Sequence, residues 1–538
     1  MLFIQPIYRL SSIGVGYNFL VAITDRSTLK IVGFTLWQAI LSTAICLVIA
    51  TPTAFLFYRR RFRLLKHLDV LITLPFILPS IVVGIGFSSL RSAPGFSIIF
   101  GQRSSIFLIV AANIFMNYGL ATRIIGTVWE SLGADLEEAA ELDGAGRVKT
   151  FFSITFHQLR QAYLSAGFLI FLYCSANFAL ILVLGNERTK TVESAIYFSA
   201  TQNLDFPRVS GLVLIQSLIT IIGFTLSTRF SSNSVNPFSQ AGEGSTKKVS
   251  KRDLPVLIFV GVTISILIAG PILSIILKAF NSEFGIGLHN FALLNSRGLR
   301  NTLNISVLQA AENSFRNAIV STALIFGIGL TVAYLLSRPG GSRVQVNTSK
   351  ILSVLFRLPI GISSVVLGLG YLLTFSSGFF PLRSSWLVTP IAQSIILIPL
   401  LLQIVLPALA AISPDLRESG EMDSATQSQF WWFVEIPLIR GALLVSLGYV
   451  LLVSLGEFGA ANFLSYGDQA TLPTVLYQLI SRPGANNYGM AMAVSALTIV
   501  VSFFLLHGIT TNFSGLTTSD VRHRRRHHRH KLHIGAQR

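Results

Sequence analysis

An all-α polytopic membrane protein made of two parallel repeats is the fold class this sequence predicts, and three observations predict it. The first is composition: 52% of residues are hydrophobic and only 12% charged, with a mean hydropathy of +0.65. A soluble chain carries about 25% charged residues. The second is the recurrence of apolar runs of about 20 residues, the length that crosses a bilayer core. The third is an internal repeat. Residues 135–160, DLEEAAELDGAGRVKTFFSITFHQLR, align without a gap to residues 415–440, DLRESGEMDSATQSQFWWFVEIPLIR, at an offset of 280 positions. Asp135, Glu138, Glu141 and Asp143 face Asp415, Glu418, Glu421 and Asp423, and the pair Phe151/Phe152 faces Trp431/Trp432.

Residues 1–32 form an N-terminal segment. They are broken by polar residues and Arg9, and they lack the basic start and long apolar core of a signal peptide. The first half, 33–227, has five predicted spans. The first, about 33–57, runs into YRRRFRLLK, whose Arg59, Arg60, Arg61, Arg63 and Lys66 place that end in the cytoplasm. The second, 68–89, contains Pro75 and Pro79 and should kink. The third, 106–127, delivers the chain to the hairpin at 128–160, which is therefore cytoplasmic. Spans at 163–184 and 208–227 flank an outside loop.

A Ser-, Gly- and Asn-rich stretch at 228–253, with Lys247, Lys248, Lys251 and Arg252, reads as a cytoplasmic linker. The second half, 254–510, has six spans, at about 255–279, 317–337, 351–374, 386–410, 442–463 and 488–510. The count of about 11, five plus six, leaves a faithful repeat one span short before residue 33: either the first half lost its leading helix, with 1–32 a truncated first span lying outside, or the start is placed too late. Because both hairpins are cytoplasmic, the halves run in parallel, related by an axis along the membrane normal.

A net charge of +18 invites a nucleic-acid reading, but positive-inside topology accounts for it. The tail, 511–538, contains VRHRRRHHRHK and is expected to be cytoplasmic and to meet anionic lipid headgroups. Its five histidines are read as part of a solvated tail and not as a metal site. Cys46 and Cys174 lie inside apolar runs, so neither a disulfide framework nor a metal site is expected. Nothing calls for a cofactor.

The motif Glu138-Ala139-Ala140, with Gly144 following, resembles the coupling-loop signature of permease subunits of ABC importers. In the second copy Glu418, Glu421, Asp423 and Ser424 occupy the matching region. There Ser419 and Gly420 replace the alanines, Ser424 replaces the glycine, and Pro437 restores a proline where the first copy has His157. Over most of its length the chain is similar to the fused permeases for thiamine and ferric iron. The echoes closest to the thiamine type are FTLWQAILS (34–42), FLIFLYCSANFALILVLG (168–185), SLGEFGA (454–460) and TLPTVLYQ (471–478). The resemblance implies the type I ABC importer permease fold in a plasma or inner membrane. It also implies two copies of an ABC ATPase subunit on the hairpins and an extracytoplasmic solute-binding protein above.

The residues themselves agree. No G-x-x-x-x-G-K-[ST] occurs, so ATP hydrolysis falls to another chain, and no catalytic set of an enzyme is present. A short helix from Asp135 would carry Glu137, Glu138 and Glu141 near its N-terminus, where the dipole favours acids. Gly144 and Gly146 would end it and turn the chain. Inside the predicted spans Glu457 stands out, opposite Asn177 in the repeat. An ionisable group in hydrocarbon costs about 2.5 kcal/mol or more and is presumptively functional, so Glu457, with Asn177 and Cys174, is the candidate pathway set. The rival reading makes Glu457 a hydrogen-bonded helix-end residue and the small residues packing positions. The expected function is import of a small cationic solute, thiamine before ferric iron. A secondary transporter is the alternative from another class, and it should show several buried charges along its spans.

Overall fold

The computed structural model describes residues 25–62, 64–91, 104–132, 135–230, 248–337, 363–376, 385–413 and 426–509, together with 101, 352, 356, 415, 416 and 422. Among these residues eight helices are long and apolar enough to cross a membrane, or ten if two sharply bent pairs each count as one span. A shorter apolar helix from Ser364 occupies the place of the remaining expected span, whose first part lies mostly outside the described residues. The only described strands are a two-residue pair, Asn281–Ser282 with Gly285–Ile286.

In the first half, α1 (Arg26–Arg59) starts before the hydropathy boundary at 33. Asp25 caps it by accepting a hydrogen bond from Ser27 N, so the polar turn before the apolar run is helical too. Pro79 breaks the second span into α2 (Leu65–Ile77) and α3 (Ser80–Leu90), bent by 101°, whereas Pro75 is accommodated inside α2. The buried helix α4 (Ser104–Ser131) leads to α5 (Asp135–Leu142), the first arm of the hairpin. The second arm starts as Arg147–Thr150, passes through a π-helical turn at Phe151–Thr155 and continues as α6 (Phe156–Ser175). A 53° bend at Ala176–Asn177 separates α6 from α7 (Phe178–Leu184). The half ends with α8 (Val192–Thr201) and α9 (Phe206–Phe230).

The linker lies partly outside the described residues, but its last residues are fixed. Arg60 at the end of α1 pairs with buried Asp253 at 2.8 Å. From there α10 (Leu254–Thr263) and α11 (Gly270–Phe280), joined through a π-helical stretch, form the extra span of the second half. This span packs on the first half. Ser274 hydrogen-bonds Ser89 at 2.6 Å, Lys278 donates to the Ser89 carbonyl, and Ile275 fills the space above Gly86. Its other face leaves Ile258, Phe259, Val262, Ile266 and Leu277 exposed, an apolar surface that suits lipid.

The second half then repeats the first: α12 (Val307–Ser337), α13 (Ser364–Ser376), α14 (Val388–Ala410), α15 (Ile436–Gly456), α16 (Ala461–Leu464), α17 (Leu472–Ser481) and α18 (Ala485–Ile509). The correspondence reaches local detail at the 280 offset. A π-helical turn, Trp431–Glu435, precedes α15 as Phe151–Thr155 precedes α6. Thr191 and Ser194 make a capping box at α8, and Thr471 and Thr474 make the same box at α17. Each of these helices also receives a cap from a long helix of its own half, α1 in the first and α12 in the second. Val192 N donates to Thr35 Oγ1 at 3.0 Å, and Leu472 N donates to Ser314 Oγ at 2.7 Å.

Candidate functional site

The hairpins and the seam between the halves are the two places where the repeat brings chemistry together. In the first hairpin α5 closes through backbone bonds from Asp143 N to Ala139 O and from Ala145 N to Ala140 O. Gly144, between them, has φ +79°, a left-handed conformation that glycine adopts without cost. Ala140 is buried and Ala139 exposed. Glu138 lies within α5, but its side chain is outside the described set.

The carboxylate that ties the hairpin down is Glu137, a residue that the motif does not single out. It accepts from the Arg59 guanidinium at 2.5 Å, from Thr155 Oγ1 at 2.9 Å and from the Trp129 indole at 3.3 Å. Burial alone would raise its pKa, but these donors and the Arg59 charge outweigh that and hold it below the ordinary value. Glu137 therefore joins the end of α1, the end of α4 and the π-helical turn into one block. Around it Phe55, Trp129 and Phe151 pack in series with their rings tilted, each pair 5.6 Å apart. Leu142, Val148 and Phe152 project outward beside this block.

In the second hairpin Glu418, Glu421, Asp423 and Ser424 lie outside the described residues. Its second arm opens with a capping box between Thr426 and Gln429, and Trp431 is anchored against Tyr334 at 4.9 Å. Trp432 is as exposed as its repeat mate Phe152, at 63% each, so the outward aromatic position is kept in both copies.

The far ends of α6 and α15 meet at the seam. Each helix breaks there, at Ala176–Asn177 and after Gly456, and the next residue but one is phenylalanine in both halves. Phe178 and Phe458 are 280 apart and stack on each other, with centroids 5.6 Å apart and planes 17° apart. Tyr197 packs on Phe178 at 5.2 Å, and its repeat mate Tyr477 packs on Phe458 at 5.7 Å. A residue can touch its own repeat mate only near the axis that relates the repeats, so this row of four rings marks that axis. The close fit extends around it. A Cβ at Gly368 would lie 2.6 Å from Ala460 Cα, so glycine is what lets α13 approach the segment after Phe458.

The three residues expected along the pathway sit beside these rings with their polar groups engaged. Glu457 is buried and accepts from Ala460 N at 2.9 Å and Ala461 N at 3.1 Å, which caps the turn into α16. Asn177 donates to Asn113 Oδ1 at 3.3 Å, and Asn113 donates to Gln38 at 2.9 Å. Gln38 in turn donates to the Cys174 carbonyl, while Asn117 reaches the Cys174 thiol. In the second half Gln393, the repeat mate of Asn113, ties Ser321 to Ser454, the mate of Cys174. These networks fasten α1, α4 and α6, and likewise α12, α14 and α15; such bonds contribute about 1 kcal/mol each in a bilayer.

One further constellation is not evident from the sequence. Asp69 on α2 and Arg123 on α4, both buried, form an ion pair at 2.9 Å, and Arg123 also donates to the Tyr449 hydroxyl of the second half at 3.3 Å. Arg123 fell inside a predicted span, which was the available signal.

Residues 46–235 match the family model described as binding-protein-dependent transport system inner membrane component, and this match lies in the first half. The chain is 25% identical over 512 residues to a thiamine transport system permease protein of Escherichia coli K12, covering 91% of this chain and 90% of that one. It is 24% identical over 505 residues to a thiamine transport system permease protein of Haemophilus influenzae, covering 90% and 89%. A ferric transport system permease protein of Actinobacillus pleuropneumoniae is 24% identical over 518 residues, covering 91% and 71%. The chain thus carries in its first half a match to the binding-protein-dependent transport system inner membrane component, and over nine-tenths of its length it is similar to permease proteins of thiamine and ferric transport systems.

Proposed function

We propose that this permease imports a small organic cation of the thiamine kind, driven by ATP that a separate ATPase subunit hydrolyses on the two hairpins. An extracytoplasmic binding protein delivers the solute to the opposite face, and the pathway follows the inter-repeat axis. The observation that carries this reading is the placement of Phe178 and Phe458 on that axis, each at the far end of a helix whose other end is a hairpin. From Arg147 to Ser175 the first such helix runs without a sharp bend. At 1.5 Å per residue it is a rod of about 40 Å. Motion imposed on the hairpin reaches the axis through it.

The axis favours the organic cation over ferric iron. Aromatic faces attract a flat or quaternary cation, whereas a hard trivalent ion wants oxygen ligands. Among the described residues no three His, Cys, Asp or Glu side chains stand together as a ligand set. Glu457, Asn177 and Cys174 shape the helix breaks that present the rings, and the rings are what the solute meets. The test is labelled thiamine uptake by proteoliposomes holding the permease, its ATPase and its binding protein. Uptake saturable by thiamine and indifferent to excess ferric iron is expected. Uptake of iron with none of thiamine would overturn the choice of solute.

A further inference from the structure

We infer that the four rings Tyr197, Phe178, Phe458 and Tyr477 are the closed gate of the translocation pathway, a reading that rests on the pathway following the axis. A passage between two parallel repeats must run where the repeats face each other. At the level of Phe178 and Phe458 that place is filled. The two rings are both 3% exposed, lie nearly parallel in van der Waals contact, and are backed on each side by a tyrosine in the equivalent position. An apolar constriction of this kind excludes water as well as solute.

The gate is built to move. Phe178 opens α7 directly after the bend at Ala176–Asn177, and Phe458 follows Glu457, whose backbone leaves the helix for an extended conformation. Neither ring is held by a hydrogen bond, so the contact between them parts without stranding a polar group of its own. Each tyrosine belongs to the same half as its phenylalanine, so Tyr197 stays on Phe178 and Tyr477 on Phe458, while the edge contact of Tyr197 on Phe463 across the seam, 5.8 Å between centroids, is released. The two halves of the gate then separate as ring pairs, and the space between them is a slot with aromatic faces on opposite sides. That slot takes a planar or quaternary cation and gives a small hydrated inorganic ion no ligand in exchange for its water.

The test uses the full-length permease alone in liposomes loaded with labelled choline, with no ATPase, binding protein or ATP. The Phe178→Ala/Phe458→Ala variant is expected to release choline about tenfold faster than wild type, because the constriction that excludes water is gone. Phe198→Ala, which removes a neighbouring ring from the first half only, is expected to leak at the wild-type rate. If the double variant is recovered at reduced yield, the single Phe458→Ala variant is measured in its place and is expected to show the same direction. Wild-type leak in a folded variant lacking the ring would overturn the gate, as would equal leak from Phe198→Ala. Because choline release needs neither thiamine nor ATP, failure of the proposed solute would leave the leak unchanged, and the two readings fail separately.

Discussion

Replacing Arg123 with alanine is expected to destabilise the protein by about 3–5 kcal/mol, the usual cost of removing one partner from a buried ion pair. Asp69 would keep a charge in an apolar seam with its partner gone, and Tyr449 would lose the donor that links it to the other half. The penalty comes from the stranded charge and not from the loss of a strongly stabilising pair. Removing both charges with residues of similar volume, as in Asp69→Leu/Arg123→Met, should therefore recover most of the stability. Thermal unfolding of the detergent-purified protein, read by loss of the monodisperse peak on gel filtration, measures both variants. A wild-type transition for Arg123→Ala would mean that the pair is not buried. The pair also bears on the alternative of a secondary transporter, for which several buried charges along the spans were the expected sign. The structure contains such charges, but this pair is internally neutral and lies within the first half, with Arg123 also reaching Tyr449 of the second, and the likeness along nine-tenths of the chain is to thiamine and ferric transport system permease proteins.

Gly144→Val is expected to lower solute-stimulated ATP hydrolysis in the reconstituted complex several-fold while leaving the membrane spans folded. The reason is conformational. A Cβ at Gly144 would meet no atom within 4 Å, so nothing clashes, but φ +79° is a conformation that a β-branched residue avoids. An L-residue pays about 1–2 kcal/mol for left-handed backbone, enough to shift a short turn toward another path. The turn carries α5, whose docking to the ATPase would be displaced. Ser424, the matching position in the second hairpin, already holds a side chain, so Ser424→Val should cost less. Equal losses in the two variants, measured side by side, would remove the asymmetry.

Much of this architecture was legible in the sequence because it is written twice. The alignment of 135–160 with 415–440 predicted the 280-residue repeat, and at that offset Thr191 and Tyr197 match Thr471 and Tyr477 in their capping boxes and ring contacts. Pro79 announced the sharpest bend, since proline removes a backbone donor and clashes with the preceding turn. What stayed hidden was long-range pairing. The anchoring role of Glu137 depends on Arg59, Trp129 and Thr155, which come from three different elements. The Asp69–Arg123 pair joins residues 54 positions apart on separate helices. Hydropathy could not choose between the pathway and capping readings of Glu457 either, because both place an acid at the end of an apolar run. Only the neighbouring backbone amides show what that carboxylate is engaged with. The packing of the extra span on the opposite half was hidden for the same reason: an apolar run records that a helix enters lipid, and not which neighbour it chooses.

If a separate ATPase drives transport by gripping both hairpins, as proposed, the Glu138→Lys/Glu418→Lys variant should lose that grip. Both positions carry the glutamate of the repeated motif, and reversing their charge should disrupt the contact without touching the seam or the spans. The measurement is ATP-dependent thiamine uptake by proteoliposomes containing equal amounts of folded permease, with retention of the ATPase on the purified permease scored in parallel. Wild-type yield, loss of the ATPase from the complex and uptake at the background rate are expected. Uptake at the wild-type rate by the double variant would contradict the proposal.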